Sequence, residues 1–307
     1  MSAPIVILGV FVADTSYRAE RQPKMGETIL GKSFALGPGG KASNQSVAAA
    51  MAGGDVTLIT RLGKDAFADI ARATWAKGGV KASVTEDPES YTGAAFIFLE
   101  EATGNNAIII SPGAAARISE EDIDANADLI RNAGVFITQL EQPIPAAVHA
   151  LRIAKEAGVK TILNPAPAAS LPEGMLALCD IVTPNESEAE ALTGLSVTNV
   201  TEAEAAARAL IAQGAGAAVI TLGENGALYV DDTQVVHVPV YRAGAVVETT
   251  GAGDAFNGGF ATALAEGQDV VSALKFGNAT AAISVTRAGT APSMPSRDEI
   301  EALLASL

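Results

Sequence analysis

The sequence predicts an α/β fold in which helices cover both faces of a mostly parallel central sheet, with a smaller β-sheet beside it. Apolar runs typical of buried strands alternate with helical segments along most of the 307 residues. Two stretches, about 14–36 and 91–111, break this alternation and favour strands of a separate small sheet. With 49% hydrophobic and 18% charged residues, the chain can build one large domain or two smaller ones.

The first predicted strand is the apolar run 5–12. It has no basic leader and no small-residue cleavage site, and Asp14 follows it closely, so we expect a buried strand and not a signal peptide. No stretch approaches the roughly 18 apolar residues needed to span a bilayer. We therefore expect a soluble, cytoplasmic protein with no membrane partner.

The remaining elements follow from apolar periodicity and from the glycine, proline and capping residues that bound each segment. Further strands are predicted over 27–34, 56–60, 80–84, 91–99, 107–111, 135–138, 161–163, 181–183 and 217–221, with a hairpin turn at 103–106. Helices are predicted after Gly40, ending at Gly53 and Gly54, and over 65–77, 120–132, 146–157, 186–192, 201–213, 251–265 and 270–286.

Charge and cysteine content exclude several classes of function. The formal net charge is −15 and no basic run exists, so a nucleic-acid partner is not expected, and an anionic nucleotide would need local donors and a divalent cation. The single cysteine, Cys179, rules out an internal disulfide framework and fits a reducing compartment. His149 and His237 are far apart in sequence, which disfavours a zinc site.

The most informative stretch is 249–260, TTGAGDAFNGGF. Two threonines lead into a glycine turn and then into a helix, whose first amides lack intrahelical acceptors and favour an anion such as a phosphate. Asp254 lies at this helix start, where a carboxylate is ordinarily a cap. The flanking Gly251 and Gly253 allow a ligand to approach the backbone closely, which favours a second interpretation: a general base beside an anion-binding turn, as phosphoryl transfer requires.

Polar residues also follow several predicted strands, at the edge of the sheet where open α/β folds bind ligands. They are Asp14, Gln139, Glu141, Asn164, Asn185, Thr221 and Gly223. Such a row indicates a cleft, although Glu141 alone is compatible with a solvated loop charge and Asn185 with a helix cap.

A second glycine turn, 37–40, precedes the first helix. It matches neither a Walker A loop, which would need glycine at Ala35 and a hydroxyl residue at Ala42, nor a dinucleotide fingerprint, which would need glycine at Ala42. A simple tight turn and a ligand contact both remain open for Gly39 and Gly40, and Lys41 is also compatible with a solvated helix-end charge.

Together these segments resemble the ribokinase-like family of sugar kinases. The stretch 249–260 resembles that family's C-terminal signature, and 39–45, GGKASNQ, resembles its N-terminal signature; 164–168, 183–188 and 285–289 add further matches in the same order. The resemblance implies a single domain over 1–307 with a three-layer α/β/α fold. It also implies that the small sheet, about 14–36 and 91–111, is a lid over the sugar.

The resemblance also assigns roles to matching positions. The sugar-binding positions are Asp14, Gly40, Lys41, Asn44 and Glu141, and Asp254 is the base, with Gly251, Ala252 and Gly253 as the anion hole. The ATP-binding positions are Asn185, Thr221, Gly223, Gly226, Gly253 and Asn278, with Glu188 beside magnesium. Some members also bind a monovalent cation such as K⁺, at positions matching Glu248, Thr250, Ser284, Arg287, Gly289 and Ser293.

Three positions depart from the family pattern. Val12 stands where ribokinases usually have a sugar-binding asparagine, which puts D-ribose in doubt as the substrate. Ala42 replaces a usual glycine, and Glu248 replaces a usual aspartate at the cation position, so that its longer side chain changes the expected K⁺ site. None of the three alters Asp254 or the anion hole.

We therefore predict an ATP-dependent sugar kinase that uses Mg²⁺ to transfer the γ-phosphoryl group to a primary hydroxyl of a pentose-type sugar. The alternatives are a nucleoside kinase of the same family, a non-catalytic sugar or nucleotide sensor, and a nicotinamide oxidoreductase, which the failed dinucleotide fingerprint disfavours. An isolated small sheet leaves an apolar face uncovered, so we also predict a homodimer through the lid.

Overall fold

A nine-stranded sheet forms the centre of the computed structural model, which describes residues 2–307. Its strand order is β13-β12-β11-β10-β9-β8-β1-β4-β5. The seven strands from β5 to β11 in this order pair in parallel, whereas β12 and β13 are antiparallel at one edge. The strands are β1 Ile5–Leu8, β4 Val56–Leu62, β5 Lys81–Glu86, β8 Val135–Thr138, β9 Lys160–Leu163, β10 Ile181–Val182, β11 Ala218–Thr221, β12 Ala227–Val230 and β13 Val235–Val238.

Helices cover both faces of this sheet. Successive side chains of a strand point to opposite faces, and in β1 Ile5 and Ile7 join one buried apolar cluster while Val6 and Leu8 join another. Helices α1 Lys41–Met51, α2 Ala66–Gly78, α8 Ala252–Ala265, α9 Val270–Ser284 and α10 Arg297–Ala305 lie on the first face; α3 Glu120–Asp124, α4 Ala127–Arg131, α5 Ile144–Glu156, α6 Glu186–Thr193 and α7 Val200–Ala212 lie on the second. The predicted three-layer α/β/α fold is confirmed.

A separate four-stranded sheet, called the small sheet below, has the order β3-β2-β6-β7. Its strands are β2 Val12–Ala19, β3 Ser33–Gly39, β6 Thr92–Glu100 and β7 Asn106–Gly113. It therefore extends slightly beyond the stretches 14–36 and 91–111. Because β3 ends at Gly39 and α1 begins at Lys41, the small sheet leads directly into the first helix of the main body.

The small sheet has two different faces, which its register defines. Asp14 pairs with Ala95 and Gly37, whereas the next row, Thr15, pairs with Leu36 and Phe96. Since adjacent rows point to opposite sides, Asp14 lies on one face and an apolar set lies on the other. That set, called the outer face, consists of Tyr17, Phe34, Leu36, Phe96 and Ile109, all of which are exposed.

Several predicted element boundaries are wrong, in each case because tertiary pairing decides. The first strand ends at Leu8, so Val12 and Asp14 belong to β2 and not to the end of β1. The predicted strand 27–34 lies instead at Ser33–Gly39, because residues 12–18 of β2 offer pairing partners there. Pro38 is tolerated because β3 is an edge strand, where a missing N–H breaks no ladder.

The predicted helix 120–132 is two helices, α3 and α4. The Asn126 side chain donates to the Asp122 carbonyl at 2.8 Å, and Ser83 donates to Asn126 Oδ1 at 2.6 Å. A side chain that binds a helical carbonyl in this way competes with the backbone and interrupts the helix.

Among residues 2–307, no helix combines the length and the apolarity needed to cross a membrane.

Candidate active site

A polar cleft of about 140 Å³ opens at the carboxyl ends of the central parallel strands. This is the edge at which open α/β sheets bind ligands. The cleft is lined by Lys41, Asn164, Ala166, Thr183, Asn185, Glu188, Thr221, Gly251, Gly253, Asp254 and Asn257. The structure thus brings together residues from both glycine motifs and from the ends of three strands.

The turn before α8 presents backbone amides to this cleft. Gly251 caps the helix in the left-handed region, with φ of 82°, which favours glycine. The Ala252 amide donates to the Thr249 carbonyl at 3.1 Å, so it is used within the turn. The amides of Gly253 and Asp254 have no acceptor among residues 2–307, and they and the helix dipole are available for an anion. The uncommitted amides are therefore those of Gly253 and Asp254, whereas the predicted anion hole comprised Gly251, Ala252 and Gly253.

Asp254 is 7% exposed, and its carboxylate contacts side chains of α1. One oxygen accepts a hydrogen bond from Asn44 Nδ2 and the other from Gln45 Nε2, both at 3.0 Å. Burial raises the pKa of Asp254, while Lys41 and these two amides oppose the rise. Since the carboxylate binds side chains of α1 and no amide of α8, Asp254 is not a helix cap.

Lys41, the first residue of α1, lies near three carboxylates, those of Asp254, Glu141 and Glu188. Burial alone would lower its pKa, but the charges of Asp254, Glu141 and Glu188 together raise it. The Lys41 amide also donates to Glu141 Oε2 at 2.8 Å. The preceding Gly40 has φ of 88° and a Cβ there would lie 2.5 Å from the Val10 carbonyl oxygen, so this turn requires glycine. Lys41 is therefore part of the site and not a solvated helix end.

Beside Asp254, next to the small sheet, lie acceptors that have no donor. Asn44 Oδ1 is buried without a partner, and no hydrogen bond to the Asp14 carboxylate forms within residues 2–307. Burial raises the pKa of Asp14 to about 6 and that of Glu141 to about 7, where Lys41 opposes the effect. Buried acceptors without donors are rare in folded proteins, so this group suits a ligand rich in hydroxyls.

On the opposite side of the cleft, Asn185 and Glu188 begin helix α6. Asn185 Oδ1 accepts from the Glu188 amide at 2.8 Å and Glu188 Oε2 accepts from the Asn185 amide at 2.9 Å, which is a capping box. The capping alternative for Asn185 is therefore correct, and both residues still line the cleft. The other carboxylate oxygen of Glu188 accepts no hydrogen bond from residues 2–307, and burial raises the pKa of this side chain.

Three predicted nucleotide positions lie outside the cleft lining. Gly223 and Gly226 form the turn after β11, and a Cβ at Gly226 would lie 2.1 Å from the Val238 carbonyl oxygen. Asn278 Nδ2 donates to the carbonyls of Val238 and Pro239, at 3.0 and 3.1 Å. Gly226 and Asn278 therefore both contact the backbone of Val238 and Pro239, where strand β13 ends.

Comparison with known proteins agrees with this geometry. The family model for pfkB family carbohydrate kinases matches residues 3–297. The chain belongs to the pfkB family of carbohydrate kinases. It is 38% identical to the deoxyribokinase of Salmonella typhi over 302 residues, 98% of each protein, and 38% identical to the ribokinase of Staphylococcus aureus over 306 residues, 98% of this chain and 99% of that one.

Solved structures show the same fold. The structure of Arabidopsis thaliana ribokinase complexed with ribose and ATP has a TM-score of 0.95 and 32% identity, covering 99% of each chain. The Thermotoga maritima ribokinase has a TM-score of 0.89 and 34% identity, again covering 99% of each chain. The prediction of an ATP-dependent sugar kinase is confirmed.

The positions predicted for a monovalent cation are close together in this carbohydrate kinase. The Glu248 amide donates to the Val285 carbonyl at 3.2 Å, and Glu248 Oε2 accepts from the Gly289 amide at 2.8 Å. The Ser284 and Ser293 hydroxyls donate to nearby carbonyls, of Ala281 and Thr290. Arg287 pairs with Glu299 through its guanidinium, so its backbone carbonyl is the group that remains available to a cation.

Two buried residues of the site, Gln45 and Asn257, have no individual role predicted from the sequence. Gln45 is fully buried and contacts Asp254, and Asn257 donates to the Gly253 carbonyl at 2.8 Å while it accepts from Thr183. The available signal was a large amide among the small and apolar residues of a helix. Such side chains are buried only when they are hydrogen-bonded.

Proposed function

We propose that this carbohydrate kinase transfers the γ-phosphoryl group of ATP to the primary hydroxyl of a pentose-type sugar, with Asp254 as the general base. The observation that carries the proposal is the position of Asp254. Its buried carboxylate is held by Asn44 and Gln45, within the same turn of helix as the uncommitted amides of Gly253 and Asp254.

The proposed step uses these groups together. A carboxylate oxygen of Asp254 accepts the hydroxyl proton as the sugar oxygen bonds to the γ-phosphorus, and the bond from that phosphorus to the β–γ bridging oxygen breaks to release ADP. The amides at the start of α8 stabilise charge on the transferred group, with Gly251 setting the turn. The ammonium of Lys41 lies close enough to Asp254 to favour its ionised form.

For ATP, we propose contacts from Asn185 and Thr221 in the cleft and from the turn that Gly223 and Gly226 form, with Asn278 supporting the backbone at the end of β13. No three His, Cys, Asp or Glu side chains of residues 2–307 group as a ready-made metal site. Mg²⁺ would therefore be held mainly by the phosphates. Glu188 fits this role indirectly, since it lines the cleft and only one of its carboxylate oxygens is committed to the Asn185 amide, and bound Mg²⁺ would supply positive charge to the phosphates.

For the sugar, we propose hydrogen bonds to Asp14, Asn44 and Glu141. Val12 lies on the same face of the small sheet as Asp14, is 6% exposed and offers no polar group. A hydroxyl placed against an apolar side chain loses its partner, which costs about 1–3 kcal/mol. We therefore propose a sugar that lacks, or places differently, the hydroxyl an asparagine at position 12 would bind, so that D-ribose is a poor substrate.

The relatives do not choose between these sugars, because a deoxyribokinase and a ribokinase are each 38% identical to the chain. The deciding experiment is ADP release across pentoses, 2-deoxypentoses, hexoses and adenosine, for wild type and Val12→Asn. We expect kcat/KM for a deoxypentose to exceed that for ribose, and Val12→Asn to shift the ratio toward ribose by about 10-fold. A wild-type preference for ribose that Val12→Asn leaves unchanged would contradict the assignment, and a preference for adenosine would favour a nucleoside kinase.

We propose further that K⁺ binds between Glu248 and the carbonyls of the 284–293 segment. One Glu248 oxygen is committed to the Gly289 amide, which leaves the other for the ion. The proposal is contradicted if the rate is the same in KCl and NaCl for both wild type and Glu248→Asp.

We also propose that the protein is a cytoplasmic homodimer whose subunits meet at the outer face of the small sheet, which acts as a lid on the sugar. The outer face carries an exposed aromatic cluster, with ring centroids 5.0 Å apart for Tyr17 and Phe34 and 5.5 Å for Tyr17 and Phe96. A four-stranded sheet with an uncovered apolar face suits a second copy of itself.

A further inference from the structure

We infer that Gln45 is a positioning residue for the proposed base: its side-chain amide holds the Asp254 carboxylate in one orientation and favours its ionised form. The inference rests on Asp254 being the base. Gln45 lies in α1, is fully buried, and is not among the residues that line the cleft. It has no chemistry of its own in the reaction, so any effect must act through Asp254.

The amide of Gln45 uses both of its hydrogens on acceptors of the site. Nε2 donates to Asp254 Oδ1 and to Asn164 Oδ1, each at 3.0 Å. Asn164 is itself fixed, since its Nδ2 donates to the Thr183 carbonyl at 3.0 Å. One nitrogen therefore ties Asp254 of α8 to the carboxyl end of β9.

Gln139 prevents this amide from turning over. Gln139 Nε2 donates to Gln45 Oε1 at 2.7 Å. If Gln45 flipped, its oxygen would face the oxygens of Asp254 and Asn164, and its nitrogen would face the nitrogen of Gln139. Three contacts would become repulsive at a buried site, where such mismatches are costly. Only the orientation that donates to Asp254 is compatible with its neighbours.

The same network also reaches the turn before α8. Thr183 donates through its hydroxyl to Asn257 Oδ1 at 2.7 Å, and Asn257 Nδ2 donates to the Gly253 carbonyl at 2.8 Å. A chain of hydrogen bonds thus runs from Gln139 through Gln45, Asn164 and Thr183 to the amide turn. It fixes the base and the anion-binding turn relative to each other, as an in-line transfer requires.

Gln45 acts on Asp254 among several charged neighbours. Lys41 from α1 favours the ionised carboxylate, and Glu141 after β8 and Glu188 from α6 disfavour it, with Asp14 of β2 facing Glu141. Gln45 is uncharged and donates directly to one carboxylate oxygen. Removing that donor should make Asp254 harder to ionise in the enzyme–substrate complex.

The test compares Gln45→Met, Gln45→Asn and Gln139→Met with Gln142→Met. Gln142 is a matched control, because it is a buried glutamine, 3% exposed, whose amide binds Thr138 and the Gln139 carbonyl but not Asp254. Each variant is checked by far-UV circular dichroism, and kcat is measured against pH with saturating sugar and ATP. The pH dependence of kcat reports groups in the substrate complex.

We expect Gln45→Met to move the acid limb of the kcat profile upward by about one pH unit, and to lower kcat at pH 7 about 10-fold. Gln45→Asn should give the same direction, Gln139→Met a smaller shift, and Gln142→Met a change within about twofold. The comparison includes every variant that retains the wild-type spectrum. If each folded variant matches Gln142→Met in its acid limb, Gln45 is merely structural and the inference is wrong. An Asp254→Asn variant with wild-type turnover would instead overturn the assignment of the base itself.

Discussion

Replacing Gly258 by alanine should misplace Asp254 while leaving the fold intact. Gly258 lies in α8 where α1 crosses closely: a Cβ there would lie 2.5 Å from Ala48 Cβ, 2.7 Å from Ala49 N and 2.8 Å from the Gln45 carbonyl oxygen. Carbon atoms in ordinary contact are about 3.5–4.0 Å apart. The two helices must therefore separate by about 1 Å.

The effects on stability and on turnover should differ in size. Overpacking of this kind costs about 1–3 kcal/mol, and alanine in place of glycine inside a helix recovers about 1 kcal/mol, so the free energy of unfolding should fall by about 0–2 kcal/mol. Turnover should suffer more, because α1 carries Asn44 and Gln45 and α8 carries Asp254. A misplacement of about 1 Å can lower the rate on the order of 100-fold, so we predict a loss in kcat of about 10- to 100-fold.

The neighbouring Gly259 provides the control. A Cβ at Gly259 would lie 2.3 Å from Thr280 Oγ1 and 2.9 Å from Thr280 Cβ, so Gly259→Ala separates α8 from α9. Helix α9 carries no hydrogen-bond partner of Asp254. Urea unfolding should show comparable destabilisation of both variants. ADP release at saturating substrates should show a large loss for Gly258→Ala alone. Equal losses of kcat, or wild-type kcat in Gly258→Ala, would refute the reasoning.

Two further predictions concern the small sheet. Asp14→Asn should raise the free energy of unfolding by about 1–3 kcal/mol at pH 7 and by little at pH 4. Burial raises the folded-state pKa of Asp14 from 3.8 to about 6. Ionisation of Asp14 as the pH rises through this window therefore destabilises the wild-type fold, and asparagine removes that cost. Urea titrations at the two pH values check this, and KM for the sugar should rise; equal stability changes at both values would contradict it. Ile109→Asp, on the outer face, should shift sedimentation from dimer to monomer. The control is Ile110→Asp, on the opposite face, which should cause no shift although the two side chains are similarly exposed, 66% for Ile109 and 57% for Ile110. A wild-type sedimentation profile for Ile109→Asp would contradict the proposed interface.

Local patterns in the sequence were sufficient to predict the seven parallel strands of the main sheet and the two glycine turns. Buried strands such as β8 and β9 are continuous apolar runs, and Gly251 and Gly40 both adopt positive φ, so the residue type itself predicts the turn. Polar residues at strand ends then placed Asn164, Asn185 and Thr221 at one cleft, because parallel strands share an edge.

What the sequence did not predict depends on partners distant in the chain. Strand β3 runs through Pro38 to Gly39 only because β2 pairs with it. Strands β12 and β13 were missed, although Asp231 Oδ1 accepts from the amides of Thr233 and Gln234 in the turn between them, a turn chemistry that the sequence contains. Helix α10 was missed as well.

In the candidate active site, too, the residue types were predictable from the sequence but their contacts with distant parts of the chain were not. That Asp254 is not a cap could be decided only from the contact with Asn44 and Gln45 of α1, more than 200 residues away. Two further hydrogen bonds also depend on the folded conformation of these turns. The Ala252 amide donates to the Thr249 carbonyl, and the Gly289 amide donates to the Glu248 carboxylate. Residue type indicates the chemistry that is available; the hydrogen bonds decide which groups remain free for a ligand.

The role of Asp254 is tested most directly by single-turnover phosphoryl transfer in Asp254→Asn. Asparagine has the same size but cannot accept a proton, so the rate should fall at least about 100-fold, with the wild-type circular dichroism spectrum retained. Asp269→Asn is the matched control, since Asp269 caps α9 through the amides of Val271 and Ser272 and asparagine caps equally well, so its rate should not change. A rate for Asp254→Asn within a few fold of wild type would contradict the assignment of Asp254 as the base.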